Sequence, residues 1–254
     1  MKSRVKATVK LSSILMSLLV GLLVIILINL GFWQLDRAKE KQHYLLLMAQ
    51  RAKGPEKKLI ELNLNDLDFW QVRVKGKLLH DYTFLLDNQV QNKKVGYQVV
   101  VPFLTHSSVL LVNLGWVADN ENRQALPPLQ QWLGVIELTG SMYQPKVNPF
   151  SLPAPNTPQW PKLVSQLTPE ELKKSLLPYI NEKKLFPAVL RLSEKSDIGY
   201  EKKWRWSNMP PEKHTAYAVQ WFCLAAMLLL LFFAHWRKNS LKQRVDDNET
   251  KDRA

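Results

Sequence analysis

The sequence predicts a membrane protein of the α+β class. Two transmembrane helices, one towards each end, bracket a β-rich extracytoplasmic domain built as an antiparallel barrel or sandwich. Three observations predict it. Residues 11–30 and 214–236 are uncharged, apolar runs, and about 20 apolar residues at 1.5 Å each cross the hydrocarbon core of a bilayer. From Trp70 onward the apolar residues change to a period of two, the signature of half-buried strands. Hydrophobic residues make up 46% of the chain, yet its mean hydropathy is only −0.20. They are therefore concentrated in the two runs, and a membrane bundle is excluded.

The basic flanks orient the spans. Lys2, Arg4, Lys6 and Lys10 precede the first run without an acid, and Arg237, Lys238, Lys242 and Arg244 follow the second before Asp246. Flanking cations stay on the cytoplasmic side, so both tails are expected inside and residues 34–213 outside. The first run is longer than a signal-peptide core and enters NLGFWQLDR without a small-x-small cleavage site, so an uncleaved anchor is expected. The expected organisation is a basic tail (1–10), a first span (11–33), an outer domain (34–213), a second span (214–236) and a second tail (237–254). Within the outer domain, a helical stalk (34–53) precedes a β-rich core (70–200). The one cysteine, Cys223, lies in the second span, so the outer domain relies on its core and not on disulfides.

Helical spacing continues from Leu35 through Ala49 until Gly54-Pro55 stops it. Strands follow as QVRVKGKLL, YTFLLDNQV, VGYQVVVPFL, SVLLVNLGWVA, WLGVIELTGSMYQ and FPAVLRLS. Six prolines in residues 145–161 make that stretch an extended loop. Thr168, Pro169 and Glu171 form the start signal of a short helix that Pro178 ends. Gly96-Tyr97 and Trp116 read as strand-core residues with a bulge or a tight approach at the glycine.

The net charge of +13 is spread without the basic, aromatic-interleaved cluster of a nucleic-acid surface. CxxC, HExxH, CxxCH, GxSxG and Gly-rich phosphate loops are all absent from the sequence, so no catalytic residue is assigned and an enzyme is not expected. The candidate site is the start of the second span. At about 100° per residue, Tyr217 and Trp221 share a stripe with His214, and Ala218 and Ala225 extend it with small side chains. Two readings stand side by side. His214 is an interfacial histidine at a helix start, or an outward-facing axial ligand to a haem iron flanked by aromatic rings. Trp33 lies at the same membrane interface, and Arg37, Arg205 and Lys213 are candidate partners of propionates, or else snorkelling cations. His235 reads as an anchor, and Gln220 as a polar contact to the first span or a functional group.

LGFWQLDRAKEKQ after the first span, GYQVVVPF, VLLVNLGWV and KHTAYAVQWFCLA opening the second occur in this order. Together they resemble the Surfeit-locus family of cytochrome c oxidase assembly factors, in its bacterial form, from about Leu30 to Trp236. The resemblance implies a non-enzymatic factor that assists insertion of haem a into subunit I of a haem–copper oxidase. Subunit I and haem A synthase are the partners it implies, with the protein in the cell inner membrane, its termini cytoplasmic and its central domain periplasmic. It makes His214 the iron ligand, Tyr217 and Trp221 its companions, and Trp33, Gln34 and Arg37 part of the first signature. Gly96, Tyr97, Gly115 and Trp116 belong to the domain signatures. Leu114 departs from the pattern, which commonly has Arg there. Two other classes fit the layout: a protein-only scaffold for oxidase subunits, and a membrane-tethered periplasmic sensor or adaptor.

Overall fold

A computed structural model describes residues 2–120, 125–151, 159–180, 183–204 and 209–251. The chain forms two compact units, Met1–Leu45 with Trp206–Ala254, and Leu46–Arg205. Arg205 itself lies outside the described residues.

The first unit is a pair of long helices, α1 (Lys2–Ala52) and α3 (Pro211–Lys251). Each contains a stretch long and apolar enough to cross a membrane, Ser13–Ala52 and Pro211–Leu241. Along the part of α1 in this unit, the buried positions among the described residues are Val20, Val24, Gly31 and Ala38, with Gln34 half-buried between the last two. On α3 they are Pro211, His214, Ala218 and Ala225, with Trp221 half-buried. Spacings of three, four and seven residues are those of a heptad seam, and small side chains at a seam let two backbones approach. A methyl group on Gly31 would lie 2.5 Å from the Phe222 ring. The outward surfaces carry Leu18, Leu22, Ile25, Ile26, Val219, Leu224, Leu230 and Leu231, the composition a lipid environment requires.

The second unit is built on seven strands: β1 (Gln71–Leu78), β2 (Phe84–Gln91), β3 (Lys94–Leu104), β4 (Ser108–Ala118), β5 (Ile136–Tyr143), β6 (Lys162–Val164) and β7 (Lys184–Leu192). They lie in the order β1-β5-β7-β4-β3-β2-β6. The end of β1 also pairs with the end of β3, through Lys77↔Leu104 and Leu78↔Phe103. Strands β1, β5, β7, β4 and β3 therefore close into a ring. β1, β3 and β4 pair antiparallel in succession, β7 joins β4 in parallel, and β5 returns antiparallel to β1. That winding is the five-stranded Greek-key barrel of the OB class. The parallel pair departs from an all-antiparallel barrel because β7 arrives through a long crossover, the connection a parallel neighbour needs.

This crossover holds β6 and the helix α2 (Pro169–Leu176). β6 pairs in parallel with β2, immediately after the proline-rich loop, where the sequence pattern shows no strand. Thr168 caps α2 by accepting the Glu171 N–H at 3.3 Å. Two apolar clusters explain the continuous VLLVNL run. Leu110, Val112 and Leu114 face the barrel interior with Val72, Val74 and Leu138. Val109 and Leu111 face the opposite way, against Phe84, Val164, Leu172 and Leu176. A strand covered on both faces loses its alternation. The β2–β3 turn places Asn92 and Lys93 at φ 50° and 64°, the backbone of a two-residue I′ hairpin.

Gly96 makes a close approach to the neighbouring strand. Tyr97 and Trp116 are buried, and a Cβ at Gly96 would strike Val117 O and the Trp116 ring. Between Val99 and Val100 the β3–β4 register slips by one residue, with Leu114 as the extra one. Gly115 follows at φ 117°, and residues 200–201 cross close above it. Tyr200 N–H donates to Leu114 O at 2.8 Å, and Trp116 N–H to Glu201 O at 2.8 Å.

Candidate functional site

The site is assembled where Gln34 of α1 meets His214 of α3. His214 sits one turn inside its helix, behind Pro211 at the first helical position, where a missing N–H costs nothing. Its Nδ1 lies 2.7 Å from Gln34 Oε1. The imidazole is 8% exposed. Its Nε2 is buried and, among the described residues, has no hydrogen-bond partner.

This orientation corrects one expectation. The stripe of His214, Ala218, Trp221 and Ala225 does not face outward; it is the seam against α1. The small residues of that stripe, Ala218 and Ala225, are buried and let the two helices approach. Periodicity identifies a stripe and cannot say what covers it.

The remaining predicted residues surround this pair unequally. Trp221 is half-buried on the seam. Trp33 is 50% exposed and Tyr217 45% exposed. Arg37 lies over the Trp33 ring at 5.7 Å and pairs with Glu40 at 2.6 Å. Turning about 100° per residue sorts the two flanks of the seam. Phe32 and Phe222 close one, with ring centroids 5.4 Å apart. Trp33 and Arg37 from α1, and Tyr217 and Gln220 from α3, turn to the other. Gln220 is exposed, so the polar bridge between the helices is made by Gln34 instead. Lys213 is exposed, and His235 engages Asn239 at 2.9 Å within its own helix.

Sequence reasoning named Gln34 only through its signature and did not pair it with His214. A signal existed: Val24, Gly31 and Ala38 recur at seven residues, and Gln34 falls between the last two.

In the barrel unit, the polar groups read as structural. Arg51 donates to Asp66 at 2.5 Å and to Asp68 O at 2.6 Å, and stacks over Trp70 at 4.3 Å. This guanidinium holds the Asp66 carboxyl below its ordinary value. Arg191 lies 4.2 Å from the Tyr143 ring centre, and burial pushes the Tyr143 phenol up. His80 Nε2 accepts the Trp132 N–H at 2.9 Å. Leu114 is fully buried in the barrel interior.

With this geometry in hand, comparison with known proteins is decisive on kinship. Residues 21–226 match the model of the SURF1 family. The chain belongs to the SURF1 family. A SURF1-like protein of Rickettsia prowazekii (strain Madrid E) is 25% identical over 227 residues, covering 87% of this chain and 90% of that relative. SURF1-like proteins of Rickettsia bellii (strain RML369-C) and Rickettsia conorii (strain ATCC VR-613 / Malish 7) are 36% and 37% identical over 102 and 101 residues. Those matches cover 39% and 38% of this chain and span 42% of each relative's own length. The SURF1 family is known in general as one of oxidase assembly factors and not as an enzyme family. Gln34, His214, Tyr217 and Trp221 all fall inside the matched residues.

Proposed function

We propose that this protein is a non-enzymatic assembly factor for cytochrome c oxidase that holds haem a through His214 and passes it to subunit I. It acts from the cell inner membrane, with both termini cytoplasmic and its barrel in the periplasm, and takes the haem from haem A synthase. One observation carries the reading: His214 Nε2 is buried and, among the described residues, has no hydrogen-bond partner, while Nδ1 lies 2.7 Å from Gln34 Oε1.

The donor fits the group. Among the described residues no three His, Cys, Asp or Glu side chains converge, so a non-haem ion would lack a ligand set, whereas an axial haem site needs one imidazole. His214 would supply that ligand. Trp33 and Tyr217 would flank the macrocycle, Trp221 would back the imidazole from the seam, and Arg37 would face a propionate. Haem a brings the redox iron the oxidase needs and an apolar tail suited to lipid. Because Nε2 has no accessible surface here, ligation requires the seam to open locally at His214. That opening limits access to the imidazole and also favours release, since reclosure of the seam buries Nε2 again.

The test is a spectrum. Full-length protein co-expressed with haem A synthesis is expected to purify with a Soret band and a red-shifted alpha band, and His214→Ala to lose both. Haem a co-purifying unchanged with the variant removes the ligand role. A second reading, a protein-only scaffold for oxidase subunits, is favoured by Ala218 and Ala225 being spent on helix packing. It predicts a featureless spectrum for the wild-type protein.

A further inference from the structure

We infer that Gln34 is a positioning residue that selects the His214 tautomer, presenting Nε2 as the lone-pair nitrogen. The inference rests on His214 being the iron ligand and deepens that reading. In the arrangement observed, Oε1 is the Gln34 atom 2.7 Å from His214 Nδ1. A carboxamide oxygen only accepts, so Nδ1 carries the proton. A neutral imidazole has one N–H, which leaves Nε2 deprotonated. That nitrogen is the buried one without a partner. Metal-ligating histidines recurrently donate their other N–H to a carbonyl or carboxylate, which fixes ring orientation and raises basicity. Gln34 stands in that place.

Simple helix–helix glue does not explain the arrangement. A histidine kept only to bridge two spans would gain nothing from an unused nitrogen inside a seam, and alanine-sized neighbours show that an apolar side chain packs there. His80, by contrast, uses its Nε2 to accept a backbone N–H, and His235 spends its Nε2 on Asn239 at the surface. His214 is the histidine, among the described residues, that is buried and keeps one nitrogen unoccupied.

The experiment uses full-length protein in detergent micelles, first without haem. Labelling histidine with nitrogen-15 and recording long-range proton–nitrogen correlations distinguishes the two tautomers at each ring. The wild type is expected to show His214 protonated at Nδ1. Gln34→Leu is expected to shift it towards the Nε2-protonated form. Gln34→Glu keeps an acceptor and is expected to retain the Nδ1 proton, so a misfolded Gln34→Leu does not end the test. Titration with ferric haem a then follows. Gln34→Leu is expected to weaken binding by about 10–100-fold, and Gln34→Glu to restore it and move the reduction potential negative.

An unchanged tautomer and unchanged affinity in Gln34→Leu would overturn the positioning role while leaving His214 as ligand. Haem a binding undiminished in His214→Ala would overturn both. An Nε2-protonated wild-type ring would overturn the tautomer assignment directly.

Discussion

Replacing both members of the interhelical pair, as Gln34→Leu with His214→Leu, is expected to make the helix pair more stable than the wild type. The wild-type seam encloses an Nε2 that has no partner, and a buried unsatisfied polar atom costs about 1–3 kcal/mol. Against this stands one hydrogen bond at 2.7 Å, and interhelical bonds between spans average about 0.6 kcal/mol. His214 is 8% exposed, so a leucine there also keeps apolar contact with the seam. The balance favours the double variant by about 1–2 kcal/mol. The single variants fall on the other side. Gln34→Leu strands both imidazole nitrogens, and His214→Leu strands a half-buried carboxamide that can still turn towards the flank. Cys223, the one cysteine of the chain, is exposed on α3 and takes an environment-sensitive dye without further mutation. Titrating the labelled full-length protein with denaturing detergent reports separation of the helices. A midpoint for the double variant below that of the wild type would refute the reasoning, because it would make the pair a structural bond and not a functional cost.

Three further outcomes are expected. Gly115→Ala forces an L residue to φ 117° and presses a Cβ to 2.9 Å from Glu201 O. It should destabilise the barrel by about 2–4 kcal/mol, with hydrogen exchange accelerated at the Tyr200 and Glu201 amides. Leu114→Arg places a guanidinium in the barrel interior and should cost at least about 3 kcal/mol in a urea titration. The Arg51 donor lowers the Asp66 pKa below its unfolded value, so its contribution is full above the ordinary carboxylate range. It is lost as pH falls through the lowered folded pKa. Asp66→Asn should flatten that segment of the stability curve between pH 5 and 2, roughly the window in which an aspartate titrates, without altering its neutral-pH slope.

Much of this architecture is legible along the chain. Alternation at Val72 and Val74 marks β1, the run at 108–118 marks β4, and Thr168-Pro169 marks the start of α2. Each is a short-range signal, written in neighbours that share one face or one turn. β6 is not legible, because three residues paired in parallel with β2 have no period to display. The inward set of the second span is not legible either. His214, Ala218 and Ala225 show helical spacing whichever partner covers them.

The sequence by itself determined that two apolar helices flank a β-rich unit, and that one histidine stands at the head of the second helix with tryptophan and tyrosine nearby. Only tertiary structure decided that this histidine looks into the neighbouring helix, that Gln34 meets it, and that five strands close into a ring. The physical reason is one of distance. Periodicity reports which side chains share a surface, whereas the hydrogen bond from residue 214 to residue 34 and the closure of β1 onto β3 depend on contacts between segments far apart in the chain.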